Sequence, residues 1–493
     1  MERRDFLKFL TTISAYNMLP SSLFADDTSS DYKALVIILL HGGNDSVNMF
    51  IPTTNDEKSG FDAYTKARGV LAIDQNPLDL PLDDNGNLIL ESGDKNPYYY
   101  DGTIIKAYTK GFYDSGIEGI GVNPLMPEVA NLAKQGKLAV VANMGTLHEP
   151  SSKEDILNKK VKLPIYLFSH NSQRALFYTG NTQNQSISGW AGILADNLGN
   201  INNSDVYGLN VAIDSAVKML YGDKTNPLTI SSRGPKSYNK VKDAERELYD
   251  KLLQIQNNDE FLRVYNELKK QSFVYQDTLK SDWDNTVLTF TSTNSYGEEL
   301  FTVPNANTLG IKTTESVSNW LSLQLKAITR LIQIGKNRGL KRQIFFVTQG
   351  GYDTHGNQTS THSKNLRALS LALDSFDKAL SDIGAHNEVT TFNISDFGRS
   401  VGNNGDGSDH AWGGHYFVMG GAVKSGLYGK MPSLELGGED DISKIGRLIP
   451  TTSHAQYYAT LLKWFGIDNS LIEQVLPEVK NFEVQDLGFM GWD

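Results

Sequence analysis

The stretch Gln343–Asp396, QIFFVTQGGYDTHGNQTSTHSKNLRALSLALDSFDKALSDIGAHNEVTTFNISD, decides the fold. Gln343–Thr348 is an apolar run of strand length rich in aromatic and β-branched residues. Leu366, Leu369, Leu373, Phe376, Leu380 and Ile383 then recur at three-four spacing, which predicts a helix with one apolar stripe. Val389–Ile394 returns as a strand, so the segment reads as strand, crossover helix and strand.

The same alternation extends outward on both sides. Ala34–Leu40, ALVIILL, is apolar at every position, as a central parallel strand covered on both faces must be. Pro127–Lys134 has helical character, and Leu138–Met144 is a further buried strand. Val317, Leu321, Leu325, Ile328 and Ile332 mark a helix before Gln343. Tyr416–Met419 is a short apolar strand, and Ala455, Tyr458, Leu461, Leu462 and Phe465 mark a closing helix stopped by Gly466. The expected fold class is therefore α/β, a mainly parallel sheet with helices on both faces. Between residues 199 and 310 charge and asparagine rise, and Asp243–Gln271 has helical propensity, so this span reads as a mostly helical insertion or cap. It would divide the α/β domain into a first part, 26–198, and a second part, 311–493, which carries most of the polar motifs.

Composition narrows the class of partner. A formal charge of -11 over 493 residues disfavours nucleic acid, and the absence of cysteine rules out disulfides and thiolate metal ligands. No run of about 18 apolar residues is present, so no transmembrane segment is expected. Arg3-Arg4-Asp5-Phe6-Leu7-Lys8 looks like a twin-arginine export motif, with Leu23-Phe24-Ala25 before two aspartates as the end of a signal peptide spanning 1–25. A periplasmic or secreted protein, carried by the twin-arginine translocation machinery, is the expectation.

Polar clusters follow the strands. They fall at Asp45, at Thr146 to Ser152, at Asp353 and His355, and at Asp396, where a parallel sheet gathers its ligand site beyond the carboxyl ends of its strands. Asp409, His410 and His415 follow in a glycine-rich loop. Any one aspartate after a strand reads equally well as a helix cap. Together, Asp45, Asp353, His355, Asp396, Asp409, His410 and His415 form a carboxylate and imidazole set suited to Zn, Mn or Mg. His41, His170, His362, His386 and His454 read as structural or surface histidines. Gly398-Arg399-Ser400-Val401-Gly402 formally matches a nucleophile elbow, with His41-Gly42-Gly43 as an oxyanion loop and His454 downstream, but the glycine-rich sequence after Ser400 cannot start the helix an elbow requires.

The HGGND, GGYDTHGNQ, SDFGRS and DHAWGGHYFVMGGAVKSGLYG segments resemble those of the domain-of-unknown-function family 1501, over about Lys33 to Gly488. That family is grouped with the alkaline phosphatase and sulfatase superfamily. The resemblance implies an alkaline phosphatase-like fold and metal-assisted hydrolysis of phosphate or sulfate esters, of small molecules or glycans. It further implies metal roles for Asp45, Asp353, His355, Asp396 and His410, and a nucleophile at Ser151 or Ser152, with Thr146 as a second candidate. Arg399 would be an anion clamp. Two departures stand out: Phe397 replaces the second member of an Asp-His pair, and the gap from Asp353 to His355 is short. One divalent ion, or a degenerate site, fits these departures. The alternative to an enzyme is a periplasmic or surface binding or assembly protein that keeps the fold without turnover.

Overall fold

The computed structural model describes residues 32–92, 107–184, 186–235, 247–248, 251, 260–305, 308–309 and 317–491. The twin-arginine segment lies outside them. Nine strands, numbered β1 to β9 along the chain, form the central sheet: Lys33–Leu40, Leu138–Gly145, Asn210–Ile213, Leu228–Ile230, Arg342–Gln349, Val389–Ser395, Gly414–Met419, Gly426–Tyr428 and Thr452–Ser453. Their order is β8-β2-β7-β6-β1-β5-β3-β4, with β9 also paired to β2. β1 lies between β5 and β6 and is parallel to both, with Leu40 level with Gln349 and with Ser395. β7 runs antiparallel to β6 and β2, and the other pairings are parallel. The expected crossover is present, and it steps over β1.

Burial explains why β1 is apolar throughout. Ala34, Val36, Ile38 and Leu40 join the core formed with helices Pro127–Lys134, Trp320–Arg338 and Gln358–Asp382. Leu35, Ile37 and Leu39 join the opposite core, with helices Trp190–Leu198 and His454–Trp464. Each such large aliphatic residue contributes roughly 1.5–3 kcal/mol by leaving water. A strand with two buried faces has no polar alternation to show.

Two elements differ from the sequence expectation. The helix expected from Leu366 starts at Gln358, two turns earlier. Gln358 and His362 are fully buried although polar, so the apolar stripe does not mark this first part. The span 199–310 contributes β3 and β4 to the sheet edge before its long helix, Glu260–Asn285. Asp282 ties that helix to the body, accepting from Arg338 Nη2 at 2.5 Å and from the Tyr207 hydroxyl at 2.5 Å. Of the helix expected over Asp243–Gln271, residues 243–246, 249–250 and 252–259 lie outside the described residues. Among those described, no helix is long and apolar enough to cross a membrane.

The helix Gln358–Asp382 carries a testable pH dependence. Asp374 is 4% exposed, with Lys378 Nζ 2.8 Å away. Burial pushes its carboxyl up to about 6, Lys378 opposes this, and Glu128 and Asp377 add to it. A carboxyl raised in the folded state gives stability that is full below the unfolded value near 4 and is lost as pH rises through about 6. Asp374→Asn is therefore expected to stabilise the protein on the order of 2–3 kcal/mol at pH 8 and to leave it unchanged at pH 4. Urea titrations at both pH values check this, and a variant equally or less stable at pH 8 contradicts it.

Candidate metal centre

Asp353 follows β5 and Asp396 follows β6, so both stand at the carboxyl edge of the sheet beside the loop that leaves β1. Gly42 permits the close approach of these loops: its φ is +122°, and a Cβ there would lie 2.4 Å from the Asp353 amide nitrogen. His410 ends a ribbon of Arg399–Asn403 and Ser408–His410, in which Arg399 pairs with His410. The fourth contributor is His170, the first residue of helix His170–Thr179.

These side chains meet around Asp353. Its Oδ2 is 3.4 Å from His170 Nε2, and its Oδ1 is 3.1 Å from His355 Nε2 and 3.3 Å from His410 Nε2. The His355 and His410 Nε2 atoms are 2.8 Å apart. His170, Asp353 and His410 each offer a ligand atom within 4.8 Å of the others.

The far side of each ring fixes its tautomer. His410 Nδ1 lies 2.8 Å from the Phe168 carbonyl, which can only accept, so Nδ1 carries the proton. His170 Nδ1 lies 2.8 Å from Asp396 Oδ2, and His355 Nδ1 lies 3.2 Å from Asp409 Oδ1. In the neutral rings, three bare Nε2 atoms therefore converge on a carboxylate, and none of the four groups brings a proton to the others. Such a donor set fits a cation, with Asp396 and Asp409 as the carboxylates that orient the imidazoles.

Charge and burial tune the same groups. Burial would raise the Asp353 carboxyl, but the hydrogen bond and charge of Arg399, with His170 and His355, hold it below the usual range. Burial lowers His410, against the Phe168 carbonyl, which favours its charged form. Arg399 itself is fully buried: Nη1 donates to Asp353 at 2.7 Å and to Gly42 O at 3.3 Å, Nη2 donates to Ser408 O, and Nε to Ser408 Oγ at 3.4 Å. It braces Asp353 and has no face for a substrate anion, contrary to the expected clamp. The guanidinium at the rim is Arg174, with Nη1 3.2 Å from Asp396 Oδ2 and 2.5 Å from His41 Nε2.

Several expected residues stand elsewhere. Asp45 is fully buried, paired with Arg68 and bonded by the Gln358 amide. His415 is buried on β7, where Nδ1 accepts the Asn143 amide at 3.1 Å. Ser152 caps the helix Lys153–Leu157, accepting the Asp155 amide at 3.1 Å, and Ser151 donates to Glu149 O at 2.8 Å. Thr146 donates to Gln173 at 2.6 Å and so steadies the helix that begins with His170. Ser400 lies in a strand, bonded to Gly402 O and to the Asp409 amide, and His454 is buried against Phe177 and Tyr458, so the elbow geometry is absent.

His170 was set aside by sequence as structural, and the structure puts it in the cluster. No strand precedes it, so the strand-end rule passes over it; the one local cue is Ser169 ahead of a helix start. Phe397 is a wall for the rings, its centroid 4.7 Å from that of His170 and 4.6 Å from that of His410.

These features define an α/β protein with a histidine and aspartate centre at the carboxyl edge of its sheet. The family model described as "Protein of unknown function (DUF1501)" matches residues 237–474. No curated protein gives a match. Among solved structures, the chain is similar to a protein in the alkaline phosphatase superfamily from Vibrio parahaemolyticus, at 10% identity, covering 96% of this chain and 78% of that one with a TM-score of 0.34. It is similar to the PsFucS1 sulfatase from Pseudoalteromonas sp., at 10% identity, 100% and 75% coverage and a TM-score of 0.35. A third is the C-terminal periplasmic domain of EcEptC from Escherichia coli, in complex with Zn, at 9% identity, 92% and 87% coverage and a TM-score of 0.31.

Proposed function

We propose that the chain is an exported, metal-dependent hydrolase of phosphate or sulfate esters carried by small molecules or glycans. The observation that carries this reading is the convergence of three Nε2 atoms on Asp353, each ring held from behind by Asp396, Asp409 or the Phe168 carbonyl. His170, Asp353 and His410 would hold the ion, and a set with two imidazoles suits Zn better than Mn or Mg. When bound, the ion would neutralise charge on the ester and polarise the bond to be broken.

The chain's own groups supply the rest. Among the described residues, no Ser or Thr hydroxyl is hydrogen-bonded to His170, Asp353, His355 or His410, which favours water as the nucleophile over Ser151 or Ser152. His355 is 47% exposed at its side chain and backed by Asp409, so it is placed to accept a proton from that water at Nε2. Arg174 and His41 line the rim where an anionic group would arrive. Export through the twin-arginine machinery to the periplasm rests on the Arg3-Arg4 motif.

The test is hydrolysis of p-nitrophenyl phosphate, bis(p-nitrophenyl) phosphate and p-nitrophenyl sulfate by protein loaded with Zn or Mn, before and after EDTA. Turnover of at least one ester, abolished by EDTA and restored by the metal, is expected. Metal bound without turnover of any ester supports the non-catalytic binding protein, and protein that binds no metal sinks the reading.

A further inference from the structure

We infer that the centre takes one ion per chain, because the place of a second cation beneath it is filled by the guanidinium of Arg68. This rests on the metal-dependent reading above. Asp45 leaves the same sheet edge as Asp353 and Asp396, and a chain of hydrogen bonds links it to the ligand set. Its Oδ2 is bonded by Gln358 Nε2, while Gln358 Oε1 accepts Ser408 Oγ at 2.6 Å and Thr354 Oγ1 at 3.3 Å. Ser408 in turn bonds Arg399, which holds Asp353. A cation at Asp45 would thus be the natural neighbour of one at Asp353.

Arg68 occupies that position. It is fully buried, and it pairs with Asp45 through Nη2, with Asn48 Oδ1 through Nε at 3.1 Å, and with the carbonyls of Ser400 and Val401 through Nη1 at 3.0 and 2.9 Å. Four of its five N–H groups are thereby used, so the side chain is fixed in place. A metal ion on Asp45 Oδ2 would have to sit against this positive charge in a dry interior, where like charges repel strongly.

His415 gives an independent indication. Its Nδ1 accepts the Asn143 amide, so its neutral ring carries the proton on Nε2 and presents a donor there rather than a lone pair. Asp45 is the charged group His415 feels. His415 Nε2 and Asp45 Oδ1 are both buried without a hydrogen-bond partner, one a donor and the other an acceptor. A protonated Nε2 offers no lone pair, so His415 is not a ligand for a metal at Asp45.

The experiment counts ions. Equilibrium dialysis of the full chain against Zn(II), read by elemental analysis, is expected to give one equivalent for the wild type. Asp45→Asn and His415→Met are each expected to keep that equivalent, with Kd raised by less than about 10-fold, below the loss typical of an outer-shell partner. Asp45→Asn strips Arg68 of its buried counter-charge, so His415→Met, which removes no charge from a neutral ring, serves as the variant free of that folding burden. Two equivalents in the wild type, or a folded variant that loses the ion, overturns the inference and leaves the metal-dependent reading standing. No equivalent at all overturns both.

Discussion

Asp353→Ala is expected to lower both ion affinity and ester hydrolysis by more than about 100-fold, since the loss of an outer-shell partner alone typically costs 10- to 100-fold. Among the described residues, Asp353 is the one carboxylate within 3.4 Å of the Nε2 atoms of His170, His355 and His410 together. Without its carboxylate, three imidazoles face one another with no negative charge to balance a divalent ion. Arg399 would also lose its charge partner at 2.7 Å. The Asp353 side chain is 47% exposed, so solvent screens part of that loss, and the stability cost is on the order of 1–2 kcal/mol. Asp353→Asn keeps an acceptor for Arg399 and separates the two effects: it should melt near the wild type while the metal is lost. Metal content by elemental analysis, kcat/KM and thermal melting together check this. A folded Asp353→Asn protein that retains its full metal content would show that the ion is held elsewhere.

The sheet was legible because its strands obey simple physics. β1 is buried on both faces and Ala34–Leu40 is apolar without interruption; β5 and β6 are buried too, with apolar centres interrupted by Gln343, Thr390, Thr391 and Asn393, and each strand ends at a polar turn that marks the carboxyl edge. Asp353, His355, Asp396, Asp409 and His410 are found together for that reason, although Asp396 and Asp409 act through His170 and His355. The first turns of the helix Gln358–Asp382 were not legible, because Gln358 and His362 are buried by hydrogen bonds to Asp45, Asn44 and Tyr108, which periodicity cannot register. Arg68 and Arg399 were misread or overlooked on the same ground. Sequence reads an arginine as exposed, and only the fold reveals that each is an internal counter-charge. At Ser152 the sequence admits both a nucleophile and a Ser/Pro turn that caps a helix, and the side chain accepts the Asp155 amide as an N-cap does.

His170→Ala should reduce ion affinity by more than about 100-fold, and Asp396→Asn by about 10- to 100-fold, the order expected when a ligand and the partner that orients it are removed separately. His170 stands between Asp396, 2.8 Å from Nδ1, and Asp353, 3.4 Å from Nε2, so its ring transmits the geometry of a buried carboxylate to the cation position. In Asp396→Asn the amide can still accept from Nδ1–H, or it can turn and donate, which would move the proton to Nε2 and aim it at the ion. Binding is weakened in the second state and kept in the first, which is why the partial loss is expected. Arg174 also loses the charge that holds it 3.2 Å from Asp396, so binding of an anionic ester should change as well, separating KM from kcat. The measurement is Zn(II) affinity by competition with a chelating dye, followed by kinetics on the metal-loaded variants. Unchanged affinity in His170→Ala would assign the second nitrogen ligand to His355, whose Nε2 is 2.8 Å from that of His410 and already within 3.1 Å of Asp353. The proton-accepting group would then have to be sought at the rim, where His41 stands beside Arg174.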